Sequence, residues 1–146
     1  MIPKFRAWGV ERYPGLKQPA PKMHRNVSVV TTYPEGITFV LTDFSMWGDD
    51  EYSGSIIDDA ILMQSTGLKD KNGQEIFEGD ILTDEGCELD EFLSYVYVIF
   101  KDGMWYCMPA KSEGYSGALN EFNEYYSAVG NIYENSDILE DINETL

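Results

Sequence analysis

The chain has 146 residues, of which 43% are hydrophobic and 14% aromatic, and its formal net charge is −16. This composition is too apolar for a disordered polymer and predicts one compact domain or two small ones. An acidic surface of this density repels nucleic acid and anionic lipid, so we expect the acidic body to bind neither. No apolar run reaches the roughly 18 residues that span a bilayer. No secretory signal is recognisable either, so we expect a cytoplasmic protein without membrane contact.

Charge is distributed unevenly along the chain. Residues 1–42 contain six basic and two acidic side chains, a balance of +4, whereas the rest contains four basic and 24 acidic ones, a balance of −20. Residues 48–55 have the Gly, Ser and acidic composition of a loop or linker. The sequence therefore predicts a relatively basic, β-rich N-terminal subdomain over 1–55 and an acidic domain over 56–146.

The first predicted hairpin joins two segments rich in β-branched residues, 27–32 and 37–42. They flank a Tyr-Pro-Glu-Gly sequence with the chemistry of a turn. Pairing across this turn places Val30 opposite Phe39.

The second predicted hairpin lies within residues 62–82 and turns at the sequence Asp-Lys-Asn-Gly. Asp70 in the first position and Gly73 in the last suit a type I turn followed by a left-handed residue. Asn72 and Gly73 could equally form the centre of a type I′ turn. In both cases we expect Asp70, Lys71 and Asn72 to be turn residues exposed to solvent.

The third predicted hairpin joins residues 95–101 to 104–108 through an Asp-Gly turn, one of the strongest short-range hairpin signals. A two-residue loop places Val98 opposite Cys107 and Phe100 opposite Trp105, on a face that we expect to enter the core. The opposite face is aromatic and half polar, so it is suited to contact the N-terminal part or another subunit.

A Gly-Asp pair, Gly79 and Asp80, precedes an aliphatic strand. Glycine permits a sharp bend, and the carboxylate can accept hydrogen bonds from neighbouring amides. With the third hairpin and a strand at 128–133, this pair predicts a small, strongly bent barrel of the SH3-like type. Helix is scarce, and the clearest candidate is a short C-terminal helix at 137–142. The fold class is therefore mainly β, α+β overall.

Four segments together resemble the pattern of the YopX family, small proteins of bacteriophages and prophages. They are Lys-Phe-Arg-Ala-Trp at 4–8, Lys-Met at 22–23, the whole of 62–82, and Val-Gly-Asn-Ile-Tyr-Glu-Asn at 129–135. The resemblance covers nearly the whole chain. It implies an SH3-like C-terminal part and a phage or prophage origin. It implies no activity, because the family has no established biochemical role.

The sequence offers no catalytic or metal-binding constellation. His24 is the only histidine and lies in a Pro-flanked stretch that is typical of a loop, with no nucleophile suggested near it. The acidic cluster at 84–91 lacks the spacing of a calcium loop. Cys87 and Cys107 are too few and too far apart for a metal or redox motif, so we expect buried or idle thiols. We therefore expect no catalytic residue, metal or cofactor.

The sequence favours a non-enzymatic protein that acts by protein–protein interaction or self-assembly with an unknown partner. One alternative is an acidic nucleic-acid mimic that blocks a host DNA-binding protein. Another is weak nucleic-acid binding through the basic N-terminal part, with Trp8 or Tyr13 stacking beside its arginines. The candidate interaction residues are Arg6, Arg12, Lys22, Arg25, Tyr97 and Tyr106.

Overall fold

A computed structural model describes residues 4–12, 20–31, 34–36, 38–46, 52–84, 95–110 and 116–136. The chain divides into two compact units, Met1–Gln64 and Ser65–Leu146. The described elements are antiparallel strands and one 3-10 turn, which confirms the mainly β prediction. The predicted C-terminal helix at 137–142 lies outside the described residues.

The first unit is built on one curved sheet with the strand order β2-β1-β5-β4-β3. Its two edge strands, β2 and β3, are separated in the chain by Asn26 alone, which has a left-handed φ of 61°. The two edges therefore meet at Asn26, yet no ladder joins β2 to β3, so the described strands form no closed barrel. The strands are β1 (Phe5–Glu11), β2 (Lys22–Arg25), β3 (Val27–Thr31), β4 (Thr38–Met46) and β5 (Tyr52–Lys69).

Pairing in the first unit confirms one prediction and corrects another. Val30 lies opposite Phe39 in the β3–β4 ladder, as the turn chemistry predicts. The predicted loop at 48–55 is wrong for residues 52–55, which begin β5 and pair with the end of β4. Cross-strand partners here outweigh the low strand propensity of a Gly- and Ser-rich sequence. The predicted domain boundary at residue 55 consequently lies inside β5.

A bulge distorts the pairing of β1 with β5. Trp8 lies opposite Ile61 but Val10 lies opposite Asp58, so β5 carries one extra residue at this point. Asp59 lies in the bulged part of β5 and has a left-handed φ of 52°. Bulges of this kind increase the local twist of a sheet.

The second unit is a meander with the strand order β10-β9-β8-β7-β11, beside a hairpin formed by β6 and the end of β5. The last strand returns to pair with the first strand of the meander. The described ladders do not close into a barrel, so the predicted barrel is not found. The elements are β6 (Glu75–Phe77), β7 (Asp80–Thr83), β8 (Tyr95–Lys101), β9 (Met104–Pro109), β10 (Gly117–Ala118), the 3-10 turn Leu119–Glu121, and β11 (Ser127–Asn131).

The β8–β9 hairpin has the predicted register, with Val98 opposite Cys107. Both central residues of its turn, Asp102 and Gly103, have positive φ, as a type I′ turn requires. Val98 and Cys107 are fully buried in the core of this unit. The other buried members of that core are Ile76, Leu82, Val96, Leu119 and Phe122.

Gly9 in β1 lies against β5 so closely that a side chain would not fit. A Cβ atom at this position would be 2.9 Å from the main-chain oxygen of Asp58 and 3.3 Å from the Cα atom of Ala60. We expect Gly9→Ala to lower the free energy of unfolding by about 1–3 kcal/mol, because backbone cannot move aside cheaply. Urea denaturation would measure it. Lys22→Ala, at the exposed residue paired with Gly9 in the ladder, should change the value by less than about 0.5 kcal/mol.

Candidate functional site

Asp70, in the turn between β5 and β6, accepts three hydrogen bonds from main-chain N–H groups of the second unit. Its Oδ1 accepts hydrogen bonds from the main-chain N–H groups of Asn72 and Gln74, both at 2.9 Å. Its Oδ2 accepts a third from the N–H of Ala128, also at 2.9 Å. Asp70 is only 5% exposed, so the expectation of a solvated turn residue is wrong. A single carboxylate therefore organises its own turn and holds a strand that lies 58 residues further along the chain.

The turn itself is of type I. The N–H of Gly73 donates to the carbonyl of Asp70 at 3.0 Å. Gly73 has a φ of 81°, whereas Asn72 does not have a positive φ, which excludes the type I′ alternative. The difference in the sign of φ between Asn72 and Gly73 follows from the Asp70 carboxylate, which accepts hydrogen bonds from the N–H groups of Asn72 and Gln74.

Further hydrogen bonds attach this turn to the segment that leads into β11. The N–H of Lys71 donates to the carbonyl of Tyr126 at 3.0 Å. The side-chain amide of Asn72 donates to Ser127 Oγ at 3.2 Å. The amide of Asn123 donates in the opposite direction, to the carbonyl of Lys69, at 2.9 Å. The turn and β11 are thus held by main-chain and side-chain bonds together.

The Gly-Asp pair has the predicted structural role. Gly79 bends the chain with a φ of 86°. Its N–H donates to the carbonyl of Val98 at 2.8 Å, and its own carbonyl accepts from the N–H of Ile132 at 2.9 Å. The buried carboxylate of Asp80 accepts from the N–H of Phe77 at 2.8 Å. These bonds join the beginning of β7 to its neighbours.

The segment after β11 is organised by a buried asparagine, Asn131, which is 3% exposed. Its side-chain oxygen accepts from the N–H groups of Tyr133 and Glu134, and its amide donates to Glu134 Oε1 at 2.8 Å. Asn135 Oδ1 accepts from the N–H of Asn131 at 3.1 Å. Like Asp70, this side chain is occupied in holding backbone and is not open to a ligand.

His24 lies in β2 and not in the predicted loop. It is 5% exposed and pairs with Ala7 in the ladder. Its Nε2–H donates to the carbonyl of Gly9 at 3.1 Å. The position of His24 within β2 accounts for the burial, which the flanking prolines did not indicate. The ring is thus engaged by the backbone, with no nucleophile among its hydrogen-bond partners.

The four basic candidates occupy different environments in the first unit. Arg6 is 2% exposed, so its proposed place on an interaction surface is wrong. Arg12 makes a double-headed ion pair with Asp58, with Nη2 to Oδ1 at 2.6 Å and Nε to Oδ2 at 3.2 Å. These hydrogen bonds raise the pKa of Arg12 and lower that of Asp58. Lys22 and Arg25 are exposed on the edge strand β2.

The two tyrosine candidates lie in the second unit. Tyr97 and Tyr106 are half-buried on the same face of the β8–β9 hairpin. The hydroxyl of Tyr106 donates to Ser116 Oγ at 3.4 Å, and Lys101 Nζ lies 5.5 Å from the centre of its ring. The predicted aromatic face exists, and Tyr106 already has neighbours within the chain.

More exposed apolar side chains occur at the end of the same hairpin, and we call Phe100, Met104 and Trp105 the hairpin tip. Phe100 pairs with Trp105 on one face of the ladder, and Met104 pairs with Lys101 on the other. Phe100 is 56% exposed and Met104 is 43% exposed. The rings of Phe100 and Trp105 make an edge-to-face contact with 5.0 Å between their centres. Alternation places Phe100 on the core face, but only its partner Trp105 packs against the core, and Phe100 lies beyond the end of it. Only tertiary structure shows where that core ends, so the sequence did not reveal this surface.

Among the described residues, no group of His, Cys, Asp or Glu side chains could hold a metal ion. Most of the acidic stretch 84–91, with Cys87, lies outside them. Burial raises the pKa of the Cys107 thiol to about 12, so this thiol is unreactive, as predicted. No helix in the described part of the chain is suited to crossing a membrane.

The buried turn, the Gly-Asp bend and the Asn131 network lie in the segments whose sequence resembles the YopX pattern. A family model described as YopX protein matches residues 4–140. The chain belongs to the YopX family. The crystal structure of protein EF1440 from Enterococcus faecalis is similar to this YopX chain, with 30% sequence identity and a TM-score of 0.63. The match covers 95% of this chain and 99% of that one. No curated protein matches the sequence.

Replacing the Asp70 carboxylate should destabilise this YopX protein strongly. In Asp70→Asn an amide replaces one acceptor oxygen, so at least one of the three N–H groups that bind the carboxylate loses its partner. We expect the free energy of unfolding to fall by about 2–4 kcal/mol, as measured by urea denaturation. The matched control is Asp102→Asn, because that exposed turn position also suits Asn. Equal effects of the two substitutions would contradict the role given to Asp70.

The raised pKa of the Cys107 thiol predicts that the protein loses stability as the pH rises into the alkaline range. This pKa of about 12 in the folded protein lies above the value of about 8.5 for a free thiol, so the unfolded chain loses its proton first. In a Cys87→Ser background we expect the free energy of unfolding to fall by about 1.4 kcal/mol between about pH 7.5 and 9.5. Adding Cys107→Ala should remove this component. An identical pH dependence with and without Cys107 would contradict it.

Proposed function

We propose that this YopX-family chain is a non-enzymatic phage or prophage accessory protein that acts in the bacterial cytoplasm by binding another protein. The observation that carries the proposal is the hairpin tip, where Phe100 and Met104 expose apolar side chains to solvent. Exposed apolar groups on both faces of one hairpin end are suited to protein contacts.

The hairpin tip has the properties of a binding element that is formed before its partner arrives. The type I′ turn at Asp102 and Gly103 fixes the backbone, and the contact between Phe100 and Trp105 restrains both rings. Little conformational entropy is then lost on association. Met104, on the other face of the hairpin, supplies an adaptable side chain. Tryptophan is enriched among the residues that dominate binding energy at interfaces.

The buried carboxylates already have hydrogen-bond partners within the chain, which supports a non-catalytic role. Asp70 and Asp80 would be obvious candidates for acid–base chemistry, and each carboxylate is engaged by main-chain groups of its own unit. A catalytic group must reach a substrate proton or a reacting atom. The carboxylates of Asp70 and Asp80 are less than 6% exposed, which does not favour such access.

We further propose that the second unit is an SH3-like barrel variant. Its strand order β10-β9-β8-β7-β11 and the 3-10 turn before the last strand support this assignment. In this arrangement the β8–β9 hairpin projects from the meander, which favours its use as a contact element.

Self-assembly is the most direct alternative form of the proposed interaction. The balance of +4 in residues 1–42 and −20 in the rest would let the basic part of one copy meet the acidic part of another. The same −20 balance favours an acidic nucleic-acid mimic as a second candidate function. Retention of a host DNA-binding protein on the immobilised chain at moderate salt would test that idea.

Direct nucleic-acid binding by the N-terminal part receives less support. Arg6 is buried, and the charge of Arg12 is balanced by Asp58. Trp8 is half-buried, and Tyr13 lies outside the described residues. The remaining exposed cations of β2 are few for a phosphate-binding surface.

The hairpin tip can be tested with the double variant Phe100→Ser/Met104→Ser. We expect the affinity for a host protein captured by the wild type to fall at least about tenfold, because interface anchors dominate binding. Calorimetric or optical titration of that purified protein would measure the change. The control Ile61→Ser/Val129→Ser alters two side chains of similar exposure and should bind normally.

Undiminished binding by the Phe100→Ser/Met104→Ser variant, with the fold intact by circular dichroism, would contradict the proposal. Sedimentation at low and high salt would show whether the captured partner is a second copy of the chain. A salt-sensitive dimer would indicate the charge-driven assembly, whereas a monomer in both conditions would exclude it.

A further inference from the structure

Asn72 is followed directly by Gly73, and this is the sole Asn-Gly pair in the sequence. In such a pair the main-chain nitrogen of the glycine can attack the side-chain carbonyl carbon of the asparagine, because glycine has no side chain to obstruct the approach. We propose that Asn72 is a site of self-catalysed deamidation, and that release of the turn from Ser127 controls its rate.

The reaction needs no catalyst beyond the chain itself. The Gly73 nitrogen loses its proton and forms a bond to Cγ of Asn72, and the side-chain nitrogen leaves as ammonia. The product is a five-membered succinimide. Water then adds to one of its two carbonyls. Opening gives aspartate if the original main-chain amide is restored, and isoaspartate if the main chain is left running through the side-chain carboxyl.

The folded structure opposes the first step through both reacting groups. The N–H of Gly73 is held by the carbonyl of Asp70 at 3.0 Å. The Asn72 amide is held by Ser127 Oγ at 3.2 Å, and the main-chain N–H of Asn72 is held by the Asp70 carboxylate. Closing the succinimide ring requires the Asn72 side chain to rotate away from Ser127 toward Gly73. The reaction therefore proceeds from an open form of the turn.

Access to solvent and to reagents is not a barrier once the turn opens. Asn72 and Gly73 are exposed, and no atom outside the immediate turn lies within 4 Å of a Cβ built at Gly73. Water can therefore reach the succinimide for hydrolysis. The free energy of local opening, and not steric shielding, sets the rate.

The isoaspartyl product would weaken the link between the turn and β11. It inserts one additional carbon into the main chain between Asp70 and Gln74. The hydrogen bonds between these two residues depend on the present spacing. The bonds from Gly73 N–H to the Asp70 carbonyl and from Gln74 N–H to Asp70 Oδ1 cannot both keep their geometry. The modification would thus be a permanent chemical change in each chain whose turn has opened and reacted.

The experiment compares the wild type with Ser127→Ala and with the matched control Ser28→Ala, a serine of the first unit. Each is incubated folded at mildly alkaline pH and, separately, in concentrated urea. Peptide mapping then measures conversion at Asn72 and separates aspartate from isoaspartate. Circular dichroism confirms that each folded sample remains folded.

We expect folded Ser127→Ala to deamidate at Asn72 about fivefold faster than folded wild type, as the loss of one neutral hydrogen bond predicts. Ser28→Ala should match the wild type, and all three should react equally fast in urea. The isoaspartyl form, once isolated, should exchange its Ala128 amide hydrogen faster. Equal rates for folded wild type and Ser127→Ala, or no conversion of Asn72 in urea, would overturn the proposal. If Ser127→Ala unfolds, the wild type itself provides the second comparison. Asn72 should convert much more slowly in the folded wild type than in urea, and equal rates would overturn the proposal.

Discussion

The second unit depends on one buried carboxylate, that of Asp70. A type I turn leaves main-chain N–H groups directed inward, and burying them without partners would be strongly unfavourable. Asp70 accepts from two of them and uses its second oxygen for Ala128, in the last strand of the meander. Charge-assisted bonds of this kind are about twice as strong as neutral ones. Local turn formation and the long-range position of β11 are therefore satisfied by the same functional group.

The same principle extends to the other polar motifs of the family pattern. Asp80 holds the entrance of β7, and Asn131 closes the turn after β11. Short strands such as β7 and β10 offer few ladder bonds, so side chains supply the connections that longer strands would make through backbone. In a small sheet the buried polar residues therefore hold the backbone in place. Exposed apolar residues such as Phe100 are available for contact with other molecules.

Much of this fold could be predicted from local sequence chemistry. Asp-Gly and Asp-Lys-Asn-Gly reverse the chain within a few residues, and the alternation of the flanking strands fixes their register. The type of the second turn could not be predicted, because the sign of φ at Asn72 depends on bonds to a carboxylate whose burial needs β11. The sequence around His24 predicts a loop for a similar reason: the place of His24 in β2 depends on a partner strand, β1, and not on its own neighbours in the chain. The hairpin tip was missed because strand alternation says which face a residue occupies, but not how far the core extends.

The pairing of β11 with β7 also bears on the order in which the chain acquires structure during its synthesis. The first unit has its described strands within residues 1–64, except that β5 continues to Lys69, and it can assemble as soon as they leave the ribosome. The Asp70 turn can form early. The second carboxylate oxygen of Asp70 gains its N–H donor only when Ala128 emerges, 58 residues later. Until then β7 keeps an open edge. Translation speed over this interval would therefore determine how long the nascent chain exposes a strand to other polypeptides.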